Sequence, residues 1–281
     1  MKSLYKFDKY LMNFKIRKNL KGIKRFFVEF WFFGIKQARA CLFAGSFFIA
    51  MFLLPRESFF GIYRYDLLLI IALLIQFCMI ISKLESIDEL KAICLFHFLG
   101  FCLEAFKTSV VNSWSYPDFA YTKIFGVPLF SGFMYAAVGS YIIQAWRLFD
   151  MRVRHHPPYF LAIFASILIY INFFTHHYIG DYRYYIIAFL AGLYARSIIF
   201  FKPLDKERKM PLLLSFILVG FFIWLAENTG TLLGVWKYPN QLGAWAVVSV
   251  GKWGAWSLVI VMTFTITLFL KNIKEKIYIP K

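Results

Sequence analysis

Long apolar runs separated by short polar segments dominate the chain. Runs long enough to cross a bilayer core of roughly 30 Å as helices lie at about 38–54, 66–82, 91–107, 126–146, 158–175, 184–201, 210–226 and 245–270. In lipid the backbone must satisfy its own hydrogen bonds, and these runs do not alternate, so they predict helices rather than barrel strands. The sequence therefore predicts an all-α polytopic membrane helix bundle of about eight transmembrane helices, with 36–281 as a single transmembrane domain.

Composition supports this prediction. The 281 residues are 60% hydrophobic and 21% aromatic, with 35 Phe, whereas soluble domains average about 45–50% apolar. A soluble protein with so much Phe would expose patches that aggregate. Composition therefore argues against a soluble protein.

The net charge of +17 reflects topology rather than nucleic-acid binding. With residue 1 placed in the cytoplasm, the segments on the inner side carry 22 Lys and Arg, and those on the outer side carry 6. This asymmetry follows the positive-inside rule and predicts that both termini are cytoplasmic. We expect membrane lipids and a hydrophobic small molecule, and no nucleic acid, as partners.

The basic segment 1–35 precedes the first apolar run. Leu4, Phe7, Leu11 and Phe14 recur at helical spacing between lysines, which predicts an amphipathic helix on an anionic inner leaflet. The same lysines could instead only hold the N-terminus inside the cell. Both interpretations stay open at this point.

The chain repeats itself. The stretch GIYRYDLLLIIALL at 61–74 matches GDYRYYIIAFLAGL at 180–193, and a glutamate followed by W-x-Y-P occurs at 104–117 and at 227–239. The offsets of these matches stay between 119 and 123 residues. Two halves of four helices, at about 38–150 and 157–275, would point the same way as a parallel 4+4 repeat with a pseudo-twofold axis along the membrane normal.

Each half brings one carboxylate and one aromatic pair to the predicted outer side. Glu104 and Glu227 close apolar helices there, and Arg64 and Arg183 are their natural ion-pair partners. Such a carboxylate could instead have a raised pKa and donate a proton. The aromatic residues form either a membrane-interface belt or the wall of a cavity; they are Trp114, Tyr116, Trp236 and Tyr238.

The second half adds polar groups that the first half lacks. Asn172, His176, His177 and Asp181 have no histidine-containing counterpart in the first half, and Asn228 lies beside Glu227. Asn172 and His176 share a helix face at i, i+4 spacing. These differences predict one asymmetric site on the outer side, built mainly from the second half.

No cofactor is predicted, and a metal ion is a minor alternative. His176, His177, Asp181 and Glu227 are acceptable ligands for zinc or iron. Adjacent helical residues, however, point about 100° apart, so both histidines can reach one ion only if the helix ends there. The four cysteines lie within apolar runs without a C-x-x-C pair, which favours packing residues.

Several long motifs in order resemble one known family. These are W-S-YP, VPLFSGFMYAAVGSY, WRLFD, INFFTHHYIGDYRY, FFIWLAENTGT and W-K-YP-NQ. From about residue 30 to 270 they are similar to the bacterial membrane family called domain of unknown function 817. The resemblance implies a multi-pass protein of the bacterial cytoplasmic membrane and supplies no functional residues. A fainter similarity is to lycopene cyclases and hydratases of carotenoid metabolism, which have acidic residues near similar aromatic motifs.

Three functions fit these observations. The first is a membrane enzyme acting on a lipid or isoprenoid, in which Glu227 donates a proton, His176 and Asp181 relay it, and aromatic faces stabilise a cation. The second is a transporter for a small solute or proton, although the inner half of the spans offers only isolated polar residues without a continuous path: Gln76, Gln144, Arg196 and Lys252. The third is a non-catalytic partner whose polar network holds helices together.

Overall fold

The structure, a computed structural model, describes residues 2–14 and 21–278, with side chains described for 6–14 and 21–271. The described chain is mostly helical. Its α-helices are α1 (Lys2–Asn13), α2 (Gly22–Ala40), α3 (Leu42–Leu53), α4 (Arg64–Ile81), α5 (Ile87–Ala105), α6 (Ser131–Leu148), α7 (Tyr159–Thr175), α8 (Arg183–Leu193), α9 (Leu212–Leu232) and α10 (Gly251–Tyr278). Shorter elements are a π-helical turn (Phe106–Val110), β1 (Lys123–Ile124), β2 (Val127–Pro128), β3 (Arg152–Arg154), β4 (Ile198–Phe201), β5 (Arg208–Pro211) and a 3₁₀ turn (Pro239–Gln241).

Several helices have the length and apolar character of membrane spans. In the described part of the chain these are α4, α5 continued through the π-helical turn, α9 and α10. A fifth span results if α2 and α3, which meet at an angle of 71°, cross together. Large apolar side chains point outward from these helices; Phe52, Leu53 and Phe222 are each more than 60% exposed. Such a surface suits lipid, where apolar groups need not be covered.

Three of the predicted spans are only partly a single continuous helix in ways that change the fold. The predicted span 38–54 is broken at Cys41, where α2 ends and α3 begins. The predicted span 184–201 ends as a helix at Leu193 and finishes as strand β4. The predicted span 245–270 becomes helical only at Gly251. Apolar runs specify burial in lipid or protein, and hydropathy alone cannot separate a helix from a helix followed by a strand.

Strands β3, β4 and β5 form a small antiparallel sheet at one end of the bundle. The order is β3-β4-β5, with Val153 opposite Ile199 and Ile199 opposite Met210. β-branched and aromatic residues in β4 favour this conformation. The sheet links the segments that follow α6 and α8, and it was not predicted.

Small residues let neighbouring helices approach closely. A Cβ atom added at Gly100 of α5 would lie 2.4 Å from Tyr135 Cγ of α6, and one at Gly139 of α6 would lie 2.2 Å from Phe96 Cδ2 of α5. A Cβ atom at Gly220 of α9 would lie 2.4 Å from Ser257 Oγ of α10. Close packing at small residues is typical of membrane helices. It fixes the helices that carry the carboxylates.

The two W-x-Y-P segments meet at the other end of the bundle. Ser115 and Lys237, the middle residues of the two motifs, form an antiparallel bridge. Each backbone N–H donates to the other residue's carbonyl at 2.9 Å. The motif residues on both sides of this bridge are therefore held against each other.

Helix α1 packs one face against the protein. Asp8 accepts two hydrogen bonds from Arg39 at 2.7 and 2.8 Å, and Leu11 is only 2% exposed. Phe7, one turn before Leu11, is 40% exposed, and the side chain of Leu4 lies outside the described part. Helix α2 runs through residue 35, the predicted end of the basic segment. Contact with an inner leaflet stays a prediction.

Candidate functional site

A cavity of about 1070 Å³ lies within the helix bundle. Its walls are mainly apolar and include Phe48 of α3, Val138 of α6, Phe216 of α9 and Val259 of α10. Phe201 and Met210 of the small sheet line one end. The opposite end is lined by a set of ionisable side chains, which we call the polar end: Glu104, Lys107, His176, His177, Arg183, Glu227 and Lys252. This volume is at the upper limit of small-molecule sites, about 300–1,000 Å³.

Glu104 is held by three neutral donors. Its Oε2 accepts from Trp114 Nε1 at 2.7 Å and from the Tyr116 hydroxyl at 2.8 Å. Its Oε1 accepts from the Tyr135 hydroxyl of α6 at 2.9 Å. Two donors come from the W-x-Y-P segment because the chain turns back after the π-helical turn and places the motif beside α5. The carboxylate is buried yet fully hydrogen-bonded.

Glu227 is held by two donors. Its Oε1 accepts from the Tyr238 hydroxyl, and its Oε2 accepts from Trp256 Nε1 of α10 at 2.7 Å. Tyr238 belongs to the second W-x-Y-P motif, and so it occupies the role that Tyr116 has at Glu104. Trp236, the first residue of the same motif, packs instead on Gly230, where an added Cβ atom would lie 2.1 Å from its Cη2.

Lys252 lies between the two W-x-Y-P segments. Its Nζ is 4.4 Å from the ring centroid of Trp114 and 4.8 Å from that of Tyr238. An ammonium group at these distances from an aromatic face makes a cation–π interaction. The prediction that Lys252 belongs to the inner half of a span is wrong. Helix α10 begins only at Gly251, so Lys252 is in its first turn at the polar end.

Lys107 contacts both histidines. It lies in the π-helical turn after α5, and its Nζ is 2.7 Å from His177 Nε2 and 3.3 Å from His176 Nε2. Helix α7 ends at Thr175, and the two imidazole centroids are 3.8 Å apart. The helix end thus brings both rings to one cation, and that cation is the ammonium group of Lys107. Turns of π-helix occur frequently at functional sites.

The surroundings of both histidines favour the neutral imidazole. Burial lowers the pKa of each imidazole, and the nearby Lys107 ammonium lowers it further; the pKa of His177 falls to about 4. His176 Nδ1 lies 2.8 Å from the carbonyl oxygen of Asn172, which assigns the ring proton to Nδ1. Its Nε2 is then the acceptor that faces Lys107.

Asn172, Asp181 and Arg183 form a separate group beside the histidines. Asp181 Oδ1 accepts from the backbone N–H of Arg183 at 2.9 Å and from Asn172 Nδ2 at 3.3 Å. Burial alone would raise the pKa of Asp181, but these donors and the Arg183 guanidinium hold it below its usual range. The Asp181–Arg183 pair spans 3.3 Å. Of the three, Arg183 lines the cavity.

The predicted pairing of Arg64 and Arg183 with the two glutamates is wrong. Arg64 pairs with Asp118 at 3.6 Å and donates to the carbonyl oxygens of Met51 and Leu233. Arg183 pairs with Asp181 and donates to the Gly251 carbonyl oxygen at 3.2 Å. Indole and phenol groups reach the carboxylates instead, since the W-x-Y-P segments fold directly over them.

The remaining predicted residues divide between the cavity and its surroundings. Trp114, Tyr116, Trp236 and Tyr238 line the cavity. Asn228 lies behind it: its Nδ2 donates to the Trp224 carbonyl oxygen at 2.8 Å, and its Oδ1 accepts from the Val248 backbone N–H at 2.9 Å. Nine of the thirteen predicted residues therefore line the cavity, and Asn172 and Asp181 lie beside Arg183. Asn228 and Arg64 have other partners.

Four residues at the polar end were missed: Lys107, Lys252, Tyr135 and Trp256. The sequence does contain a signal for the two lysines. Each lies in or beside an apolar run, on the predicted side that carries few basic residues, and a charged residue in such a place is costly. The two aromatic residues had none, because α6 and α10 contain several Tyr and Trp residues, and spacing does not indicate which one faces a carboxylate.

The side chains at the polar end do not form a metal-ligand set. Among the described residues, no three His, Cys, Asp or Glu side chains come together as a group that could hold a metal ion. The two imidazoles face an ammonium group rather than further anionic ligands. The four cysteines are free thiols.

Comparison with known proteins matches the chain to a family without an assigned role. The model of the family "Protein of unknown function (DUF817)" matches residues 29–264. The "Uncharacterized protein YoaT" of Bacillus subtilis (strain 168) is 44% identical over 244 residues, covering 87% of this chain and 92% of that protein. No solved structure matches this chain.

Proposed function

This chain belongs to the DUF817 family, and we propose that it is a membrane-embedded enzyme that acts on a lipid or an isoprenoid. The observation that carries this proposal is the cavity, which joins mainly apolar walls to a polar end with two carboxylates, two lysines and two histidines. An apolar chain would lie along the walls. Its reacting group would reach the polar end.

Glu227 is the proposed acid–base residue. It lines the cavity, and only two donors hold it, from Tyr238 and Trp256. An ionised carboxylate has about four lone-pair sites, and only two of these accept a hydrogen bond from the protein at Glu227. Glu227 can therefore also accept a hydrogen bond from a substrate hydroxyl. Glu104, with three donors, is the proposed structural counterpart. His176, His177 and Lys107 would exchange protons with the substrate or with Glu227.

The aromatic walls take a different role from the predicted one. Trp114 and Tyr238 were expected to stabilise a developing cation on the substrate. The ammonium group of Lys252 already lies over both rings. We therefore propose chemistry at a polar head group rather than cyclisation through a carbocation.

The proposed membrane arrangement keeps the sequence-based topology. It consists of about eight spans as a parallel 4+4 repeat in the bacterial cytoplasmic membrane, with both termini cytoplasmic and the polar end outside. The mutual backbone pairing of Ser115 and Lys237 supports it, because equivalent residues meet at a twofold axis. The opposite location of the small sheet, whose segments carry many basic residues, supports it too.

Transport of a small solute is the second candidate. The cavity reaches from Lys107 to Phe201 and Met210 at the opposite end, which is the direction a solute would take. Purified protein in proteoliposomes would then show substrate-coupled flux that His176→Ala abolishes. The apolar lining of the middle section favours the enzyme.

A comparison of lipid extracts tests the proposed enzyme. Cells would carry either wild-type protein, Glu227→Gln, or Glu57→Gln as a control at an exposed carboxylate. We expect a lipid or isoprenoid to accumulate in the Glu227→Gln cells and in a deletion strain, and to stay at wild-type levels in the control. Mass spectrometry would measure it, and immunoblotting would confirm equal expression. Identical extracts from all strains would leave only a non-catalytic role.

A further inference from the structure

The polar end contains two ammonium groups that no carboxylate neutralises directly. In the described part of the chain, neither Lys107 nor Lys252 has a carboxylate oxygen within the 4.0 Å of an ion pair. Lys107 is 6% exposed and faces two imidazoles. Lys252 faces two aromatic rings. Both line the cavity.

The nearby glutamates are occupied by other partners. Tyr and Trp side chains donate to Glu104 and to Glu227. Neither carboxylate forms an ion pair with a lysine in the described part of the chain. A partly buried cation without a close counter-ion is costly, so a bound anion between the lysines would be stabilised by both.

Arg183 adds an unused donor to the same end. Its terminal nitrogens contact Asp181 and the Gly251 carbonyl oxygen. Its buried Nε has no hydrogen-bond partner among the described residues. Arginine and lysine together are a typical setting for a phosphate group, which offers several acceptor oxygens to several donors.

We propose that the polar end binds the phosphate group of a long-chain lipid phosphate, through Lys107, Lys252 and Arg183, with the apolar chain lying in the cavity. This inference rests on the proposed function and specifies the substrate class of the same site. The apolar walls supply the selectivity for a chain. The cations supply the selectivity for a charged head group over a neutral alcohol.

Binding by purified protein tests this proposal without requiring turnover. The probes are geranylgeranyl phosphate, geranylgeraniol and inorganic phosphate, each titrated against intrinsic tryptophan fluorescence in detergent. We expect the lipid phosphate to bind at least about tenfold more tightly than the alcohol, because only the phosphate accepts charge-assisted hydrogen bonds from the cations. Inorganic phosphate should bind more weakly than the lipid phosphate, because it lacks the chain.

Variants locate the phosphate site. Lys107→Met and Lys252→Met should each lose roughly tenfold in lipid-phosphate affinity and leave alcohol binding unchanged. Lys237→Met is the matched control, since Lys237 is at the same end but does not line the cavity. Lys107→Arg and Lys252→Arg keep the charge, so they should retain binding. Lys107→Gln and Lys252→Gln replace the methionine variants if those do not stay monodisperse.

Three results would overturn the proposal: equal affinity for the alcohol and the phosphate, methionine variants that bind like Lys237→Met, or inorganic phosphate that binds as tightly as the lipid phosphate. The last result would assign the site to free phosphate. The enzyme proposal fails separately, by unchanged lipid extracts from Glu227→Gln cells. Phosphate selectivity together with unchanged extracts would identify a protein that binds a lipid phosphate and catalyses no reaction on it.

Discussion

Glu104 and Glu227 each lie beside a copy of the same W-x-Y-P motif, but the two copies donate different hydrogen bonds to them. At both sites the tyrosine of W-x-Y-P donates to the carboxylate. The tryptophan donates only at Glu104, where Trp114 reaches Oε2 at 2.7 Å. At Glu227, Trp236 packs on the backbone of Gly230 instead.

The residue three positions after each glutamate accounts for this difference. It is Lys107 in the first half and Gly230 in the second. Gly230 leaves room for the Trp236 ring, whereas the Lys107 side chain reaches the histidines. The closed carboxylate site at Glu104 therefore has a cation next to it at the position where the more open site at Glu227 has a glycine. Similar sequence segments can therefore have different roles at one cavity.

The largest expected difference is in stability after removal of each carboxylate. Glu104→Ala leaves three buried donors without an acceptor and Glu227→Ala leaves two. Because each unpaired buried donor costs about 1–3 kcal/mol, we expect Glu104→Ala to lose about 3 kcal/mol or more and Glu227→Ala about 1 kcal/mol less. Thermal unfolding in detergent would measure both. The reverse order would contradict the structural role of Glu104.

The next effect tests the glycine that separates the two sites. A Cβ atom at Gly230 would lie 2.1 Å from Trp236 Cη2. We expect Gly230→Ala to destabilise the protein by about 1–3 kcal/mol through overpacking. Gly254→Ala is the control, because an added Cβ atom there meets nothing within 4 Å. Equal unfolding temperatures for the two variants would show that Trp236 does not depend on Gly230.

The smallest effect concerns the histidines beside Lys107. The pKa of His177 is lowered to about 4, by burial first and then by Lys107, His176 and Lys252, with Asp181 acting in the opposite direction. The folded state therefore binds a proton less readily than the unfolded state. This contribution to stability is complete above about pH 6.5 and is lost as the pH falls toward the folded pKa.

We expect His177→Asn to reduce the loss of unfolding free energy between neutral pH and about pH 5 by less than about 1 kcal/mol, as measured by thermal unfolding, since the ring is exposed and screened by solvent. His155→Asn, at the end of the bundle that carries the small sheet, should retain the wild-type slope. A wild-type slope in the His177→Asn protein would show that the pKa of His177 is not lowered in the folded protein.

Much of the fold followed from the sequence, and the site followed in part. The apolar runs predicted α4 and α7 within two residues at each end, because hydropathy measures transfer into an apolar surrounding. They failed at Cys41, at Leu193 and before Gly251. There a break, a strand and an extended segment depend on contacts with distant residues.

The amino-acid sequence by itself determined the class of the protein and the residue types available at the polar end. Glu104, Glu227 and the W-x-Y-P motifs were visible as costly or repeated groups in an apolar chain. Only the tertiary structure decided their partners. The donors from α6 and α10, and the placement of Lys107 and Lys252, arise from helix packing and from where two helices end and begin. Such long-range contacts leave no periodic signal in the sequence, since they join residues far apart in the chain.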